Sequence, residues 1–363
     1  MIYRALGLMS GSSLDGLDLV FAEFHVNAGH WSWDIRAAAT VPYAEDWADR
    51  LRGAAELSAR DYLVLHAAYG RYLGEAVNHF IEEKGLQFQV GLVASHGHTT
   101  VHSPQGGVSA QLGDGATLAA VTGLAVVSDL RSLDVAHGGQ GAPIVPLGES
   151  LLFTDYRLFL NLGGIANLSV HDGPPVAFDI CPANRVLNAL AQKAGKEFDE
   201  GGRLAAMGTV NAPLLSQLNA LDYYQQPSPK SLANEFGTGV VLPLIEAAGL
   251  SHEDALATYT EHVAVQIHES LEDHLPAHLQ NRKLLVTGGG GFNTFLVSRL
   301  REWVEDNQVE LVVADDNLVH YKEALVMAAL GVLRWREENT TLASVTGARR
   351  DSIGGALWLG QEA

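Results

Sequence analysis

Asp179 ends an apolar run, Val176-Ala177-Phe178, and precedes a helix-compatible stretch that opens at Asn184. A carboxylate at that point can serve as a general base when burial or a neighbouring charge tunes its pKa. It can equally cap the following helix, although Asn184 is better placed for capping. A second cluster, Ser95-His96-Gly97-His98-Thr99-Thr100-Val101-His102, brings three imidazoles close together. Metal ligation is conceivable, but no cysteine joins them. A polar loop at a strand end, lining a ligand crevice, is the simpler reading. In Asp129-Leu130-Arg131-Ser132-Leu133-Asp134 an arginine lies between two aspartates. Such a group could clamp a hydroxylated or carboxylated ligand through the guanidinium fork, or form an internal ion-pair network. His262, His268, His274 and His278 read as solvated positions on a helix and its exit.

Three glycine-rich turns offer backbone rather than side chains. Ser10-Gly11-Ser12-Ser13-Leu14-Asp15-Gly16 joins two strand-like runs. Glycine admits close approach of an anion, and successive N–H groups can form an anion nest; an ordinary hairpin turn has the same composition. Asn161-Leu162-Gly163-Gly164-Ile165-Ala166-Asn167 repeats the arrangement about 150 residues later. Gly288-Gly289-Gly290-Gly291 follows a strand and precedes a helix opening near Asn293. That context suits a nucleotide lying on bare backbone at a helix N-terminus. It lacks the spacing and acidic partner of a dinucleotide fingerprint. No GxxxxGK[ST] loop occurs, so phosphate binding here would rely on paired hairpins.

The elements that must position these groups alternate between apolar runs and amphipathic stretches, as in an α/β protein. Strands are expected over residues 3–9, 17–24, 90–95, 124–129, 157–162, 167–171, 176–180, 284–287 and 309–314. Helices are expected over residues 59–84, 184–194, 252–275, 293–306 and 322–338. The repeated hairpin implies two related lobes, taken here as 1–150 and 151–363. A chain of 363 residues also exceeds the roughly 250–300 at which one core stops growing.

Composition narrows the partners. The 23 basic and 42 acidic residues give a net charge of −19, and protonating all 15 histidines would leave it negative. Nucleic acid is therefore not an expected partner. The lone Cys181 excludes an intrachain disulfide and any multi-cysteine metal site. The apolar start is too short for a signal peptide and meets Asp15 early, and no long uncharged apolar run occurs. The expectation is a cytoplasmic protein with no membrane partner.

Taken in order, the motifs resemble those of the anhydro-N-acetylmuramic acid kinases, in the superfamily of sugar kinases, heat-shock chaperones and actin. Gly7-Leu8-Met9-Ser10-Gly11-Ser12-Ser13-Leu14-Asp15-Gly16-Leu17-Asp18 is similar to GxMSGTSxDGxD, and Ser95-His96-Gly97-His98-Thr99 to SHGQT. Asp129-Leu130-Arg131, Asp134 and Gly138-Gly139-Gln140-Gly141-Ala142-Pro143 resemble DFRxxD and GGQGAP. Residues 161–167 match NLGGIAN; Gly288-Gly289-Gly290, Glu323-Ala324 and Val345-Thr346-Gly347-Ala348 fit GGG, EA and VTGA.

The resemblance implies a two-lobed actin-like, ribonuclease H-like fold with a deep cleft between the lobes. It implies ATP with Mg²⁺ held mainly through phosphates, a 1,6-anhydro amino sugar as substrate, and a homodimer. Asp179 would be the base that draws a proton from the attacking water. Gly11, Ser12, Ser13, Leu14, Asp15, Gly16, Leu17, Asp18, Asn161, Gly163, Gly164, Gly288, Gly289 and Gly290 would hold the nucleotide; Thr99, Arg131, Asp134 and Glu323 would line the sugar pocket. The product would be N-acetylmuramic acid 6-phosphate, a step in peptidoglycan recycling.

The sequence departs from this pattern where FDTGPGN reads Phe178-Asp179-Ile180-Cys181-Pro182-Ala183-Asn184, and at Asn188, His98 and Asn234. Two competing expectations follow: a kinase for another 1,6-anhydrosugar such as levoglucosan, or a non-catalytic actin-like ATP-binding protein.

Overall fold

The computed structural model describes residues 1–11, 14–227 and 230–360. Met1–Thr154 together with Tyr321–Ala363 form one compact unit, and Asp155–His320 form another. This division differs from lobes at 1–150 and 151–363: the C-terminal segment packs with the first unit, because its helix lies on that unit's sheet and its last strand extends it.

In the first unit, β1 (Ile2–Ser10), β2 (Gly16–Asn27) and β3 (His30–Pro42) form an antiparallel meander. β4 (Leu92–Ser103) joins β1 in parallel and also pairs with β5 (Val108–Leu112). β6 (Val126–Ser128) adds in parallel to β4, and the short strand Ala356–Trp358 closes that edge. In the second unit the order is repeated. β7 (Leu158–Leu162), β8 (Ile165–Val170) and β9 (Val176–Pro182) form the meander, and β10 (Lys283–Thr287) and β11 (Glu310–Val313) extend it in parallel from β7. Three antiparallel strands followed by parallel ones is the ribonuclease H-like arrangement, found here twice in one mixed α/β chain.

β1 and β2 are covered on both faces, so they read as continuous apolar runs. β3 lies at a sheet edge and alternates between exposed and half-buried positions. Its polar residues break the apolar signal, which is why no strand was expected there. The helix Ala59–Glu83 starts where Ser58 Oγ accepts the Asp61 N–H at 3.2 Å. It buries Leu65, Tyr69, Leu73 and Val77 at steps of four residues, one stripe of a helix turned to the sheet.

The helix Asp316–Trp335 begins a turn and a half before the expected Lys322, because Asp315 Oδ1 accepts the Leu318 N–H at 3.0 Å and fixes the start there. From Tyr321 onward it lies on the first sheet, and two glycines permit the contact. A Cβ on Gly7 would stand 1.9 Å from the Ala324 carbonyl oxygen, and one on Gly331 would stand 2.4 Å from Ala94 Cβ. The same helix buries Lys322, whose Nζ lies 2.7 Å from Glu149 Oε1. Paired charges of this kind help to specify a contact more than they stabilise it.

Gly7→Ala is expected to destabilise the protein by about 1–3 kcal/mol, since backbone rather than a movable side chain must give way. Thermal or denaturant melting measures this, and a melting curve like that of the unmodified chain would show the contact to be compliant.

Candidate active site

The first glycine turn leaves β1 at Ser10 and enters β2 at Gly16. Ser10 is buried; its hydroxyl lies 2.9 Å from His98 Nδ1 and accepts from Tyr43 OH at 2.7 Å, and Tyr43 is bonded in turn to Tyr69. The strand end that launches the turn is thus tied to two other segments. Leu14 takes a left-handed φ of 58°, and its N–H reaches Gly11 O at 3.4 Å. Leu17 packs into the core, so only its backbone could serve a ligand. Ser12 and Ser13, expected in the same turn, lie outside the described residues.

Asp18 follows on β2 and accepts the Thr40 hydroxyl at 2.6 Å. Burial pushes its carboxyl up to about 6, and Asp15 and Glu323 add to that rise. These three carboxylates therefore share one electrostatic neighbourhood. No cluster of three or more metal-ligating side chains occurs among the described residues. Hard oxygen donors in ones and twos are nevertheless what Mg²⁺ takes from a protein when phosphates complete its shell. The residues fit that mode of binding, with Asp18 the donor most in need of a positive neighbour.

Arg131 donates from both Nε and Nη2 to His96 Nε2, at 3.1 and 2.7 Å. A guanidinium can only donate, so His96 Nε2 accepts and Nδ1 carries the proton, 2.9 Å from Gly97 O. Burial, together with Arg131, lowers the His96 pKa to about 3, so the ring is neutral. Burial also lowers Arg131, to about 10, while the charge of Glu323 works against this. The charge of Glu323 thus reaches Arg131, and Thr99 lies on β4 with His96, paired with Gln111. His96 also lines a cavity of about 440 Å³ with His66, Gln111, Asp114, Asp129 and Trp358.

Asp134 was expected in the sugar pocket, and the structure gives it another task. It has no exposure; Oδ2 accepts the Gly141 N–H at 2.8 Å and Oδ1 accepts the Thr346 hydroxyl at 2.7 Å. Its carboxylate ties the Gly138–Pro143 loop to the Val345–Ala348 loop and is closed to a ligand.

In the second unit the two remaining glycine clusters meet. A Cβ on Gly288, whose φ is 80°, would fall 2.6 Å from Asn161 Oδ1, and one on Gly290 would fall 2.7 Å from Leu162 Cβ. Asn184 Nδ2 donates to Leu162 O at 2.9 Å, so its amide braces this junction and does not cap the helix. The cap position is Ala183, which has no side-chain bond. Gly163 and Gly164 accept through their carbonyls from the N–H groups of Ala183, Asn184 and Arg185. Asn161, Gly163, Gly164, Gly288, Gly289 and Gly290 are therefore gathered at the strand ends of one sheet.

Asp179 lies on β9, the edge strand of that sheet. A segment from the chain that follows fills the open edge. Asp179 N–H donates to Lys230 O at 3.0 Å, Tyr223 OH donates to Asp179 O at 2.8 Å, and Leu232 N–H donates to Asp179 Oδ2 at 2.9 Å. Lys230 Nζ closes the segment on itself by donating to Tyr223 O and Tyr224 O at 3.2 and 3.3 Å. Burial raises the Asp179 pKa and the Leu232 N–H partly offsets the rise. A half-buried carboxylate with one oxygen held and a raised pKa has the character of a general base. Cys181 and Ala183, both departures from the family pattern, are buried in the core. Cys181 is an inert thiol there, pushed up by burial.

His262 corrects another expectation. It is fully buried, with Nδ1 2.6 Å from Asn219 Oδ1 and Nε2 3.0 Å from Tyr224 OH, because the helix His252–His274 is packed on most of its sides. Among residues outside the motifs quoted above, Thr40 and Tyr43 brace Asp18 and Ser10 in the first unit, and Tyr223 and Leu232 brace Asp179 in the second. For Thr40, Tyr43 and Tyr223 the only trace in the sequence is a hydroxyl near a buried strand, and for Leu232, which acts through its backbone, there is none.

Glycine turns at matching places in each of two repeated sheets, with carboxylates and an arginine in the neighbourhood of the first, are features that a nucleotide-using phosphotransferase would require. The family model for anhydro-N-acetylmuramic acid kinase matches residues 3–360, and the chain belongs to that family. Relatives named anhydro-N-acetylmuramic acid kinase include that of Gloeobacter violaceus, 35% identical over 95% of this chain and 96% of the relative. That of Pseudomonas syringae pv. syringae is 33% identical over 99% and 100%, and that of Synechococcus elongatus 36% over 98% and 99%. Among solved structures, component A of the Acidaminococcus fermentans (R)-2-hydroxyglutaryl-CoA dehydratase is similar over 90% of this chain and 96% of that one, with 15% identity and a TM-score of 0.48. Among the described residues no helix is long and apolar enough to cross a membrane.

Two outcomes are expected from this geometry. The raised pKa of Asp18 means that its ionisation opposes folding above about pH 6 and has no effect below its ordinary range. Asp18→Asn should therefore raise stability by about 1–3 kcal/mol at pH 8, with the gain vanishing by pH 4, in melting curves followed across pH. Tyr223→Phe should loosen the segment that bonds Asp179 and weaken the Leu232 contact, which lowers the carboxyl pKa. The acid limb of the kcat–pH profile should then move to higher pH.

Proposed function

We propose that the protein is an ATP-dependent kinase that hydrolytically opens 1,6-anhydro-N-acetylmuramic acid and phosphorylates its 6-oxygen, releasing ADP and N-acetylmuramic acid 6-phosphate. The observation that carries this reading is membership of the kinase family over residues 3–360 with the aspartate of its motif retained as Asp179. In the proposed reaction Asp179 takes a proton from water as the water oxygen bonds to the anomeric carbon. The bond from that carbon to the 6-oxygen breaks, and the 6-oxygen captures the γ-phosphoryl group as the bond to the β-phosphate oxygen is lost. The leaving oxygen goes to phosphorus, so a second carboxylic acid of the glycosidase kind is not required.

The glycine turns would hold the nucleotide phosphates through backbone N–H groups, and Arg131, Glu323 and Thr99 would orient the sugar. Phosphoryl transfer is largely positioning and charge neutralisation, and Mg²⁺ would supply part of that neutralisation through the phosphates, with Asp18 close by. The same reading takes the chain to work as a homodimer in the cytoplasm. The charge of −19 supports the exclusion of nucleic acid.

The test is ADP release with 1,6-anhydro-N-acetylmuramic acid and, separately, levoglucosan, with mass analysis for one solvent oxygen in the product. Preference for the amino sugar with oxygen uptake is expected. Preference for levoglucosan would change the substrate, and ATP binding without ADP release on either sugar would leave an actin-like binding protein. Asp179→Asn should cost on the order of 10²–10⁴ in kcat while ATP affinity is kept. Rates close to those of the unmodified chain would place the base elsewhere.

A further inference from the structure

Arg185 is a cation without a counterpart among the described residues. Its side chain makes no hydrogen bond, ion pair or ring contact with the described residues, although it is only partly exposed. Its backbone N–H donates to Gly164 O at 3.3 Å, which seats it beside the turn between β7 and β8. The guanidinium lies along that turn: a Cβ built on Gly164 would stand 3.8 Å from Nε and 4.0 Å from Nη2. The N–H groups of Gly163 and Gly164 donate to no acceptor among the described residues. The guanidinium fork and the Gly164 backbone therefore lie side by side at this turn.

Charge placement makes this arrangement unfavourable while nothing is bound. Arg185 is in the first turn of the helix Asn184–Lys193, where the peptide dipoles present positive charge, and no acidic residue occupies that turn. A dianionic group at the turn would reverse the cost and satisfy all the donors at once, in the bidentate geometry that guanidinium and phosphate share. Arg185 follows the motif residues 178–184 and belongs to none of the motifs quoted above.

We infer that Arg185 is a nucleotide-binding residue of this chain, its guanidinium closing over the Gly163–Gly164 turn onto the terminal phosphates of the nucleoside triphosphate. The inference rests on the kinase reading and adds to it a side chain that supplies fixed positive charge to the departing diphosphate.

The experiment is calorimetric titration of ATP and adenosine into the full chain and into Arg185→Met and Arg185→Lys, with melting curves for each. Arg185→Met keeps most of the apolar stem and removes the charge. ATP affinity should fall about tenfold in Arg185→Met, a change of about 1.4 kcal/mol, and by less in Arg185→Lys, with adenosine affinity unchanged in both. The difference between Arg185→Met and the unmodified chain should narrow as salt is raised. ATP affinity within twofold of the unmodified chain in a folded Arg185→Met would overturn the inference while leaving the kinase reading in place. Equal weakening of ATP and adenosine would overturn it too, since the effect would then be structural. Failure of the unmodified chain to bind ATP would overturn the kinase reading itself, and the inference with it.

Discussion

The contact on which the first unit depends is backbone against backbone. Gly7 on β1 meets the Ala324 carbonyl so closely that no side chain fits between them. This approach lays the helix Asp316–Trp335 on the sheet, from Tyr321 onward, at a fixed height and rotation. It thereby sets Lys322 against Glu149, and Glu323 within electrostatic reach of Arg131 and Asp18. In the second unit, Gly288 and Gly290 play the corresponding part against Asn161 and Leu162. Close packing at glycine draws loops from distant parts of the chain to the ends of parallel strands, where α/β folds form their ligand crevices.

Around these contacts the protein keeps charges that are costly until a ligand arrives. Burial raises the carboxyls of Asp18, Asp179 and Glu323. Each would be eased by a proton, a cation or a hydrogen-bond donor. The glycine turns meet the opposite demand. In the proposed reading they would answer anionic phosphates with N–H groups and a few cations, which a chain of net charge −19 can do without a basic surface.

Asp179 illustrates how an edge strand is used. An open sheet edge exposes unpaired backbone groups, and the segment through Tyr223, Lys230 and Leu232 fills it. The same segment lends an N–H to the carboxylate, leaving Oδ1 for chemistry. One loop therefore meets the sheet edge at Asp179 and holds the candidate base.

Much of this was legible in the linear chain. Runs of apolar residues marked the strands buried on both faces, and four-residue periodicity marked the helix Ala59–Glu83, because burial on a regular element repeats with the element. The repeated glycine hairpin announced two related sheets, and the ordered motifs named the family. Strand β3 was missed since an edge strand mixes polar and apolar residues, and the helix at Asp316 was begun too late since its cap is an aspartate among other polar residues. Asp134 was legible as an acidic group beside an arginine, but not as the tie between two loops; Thr346, its partner, is more than 200 residues away. His262 was read as solvated because its helix carries polar residues on all sides, yet neighbouring elements bury it. The sequence by itself determined residue chemistry, local periodicity and family, which depend on near neighbours and order. Which carboxylate is held, tied off or left able to act was decided only by tertiary structure, because those states depend on burial and on partners far away along the chain.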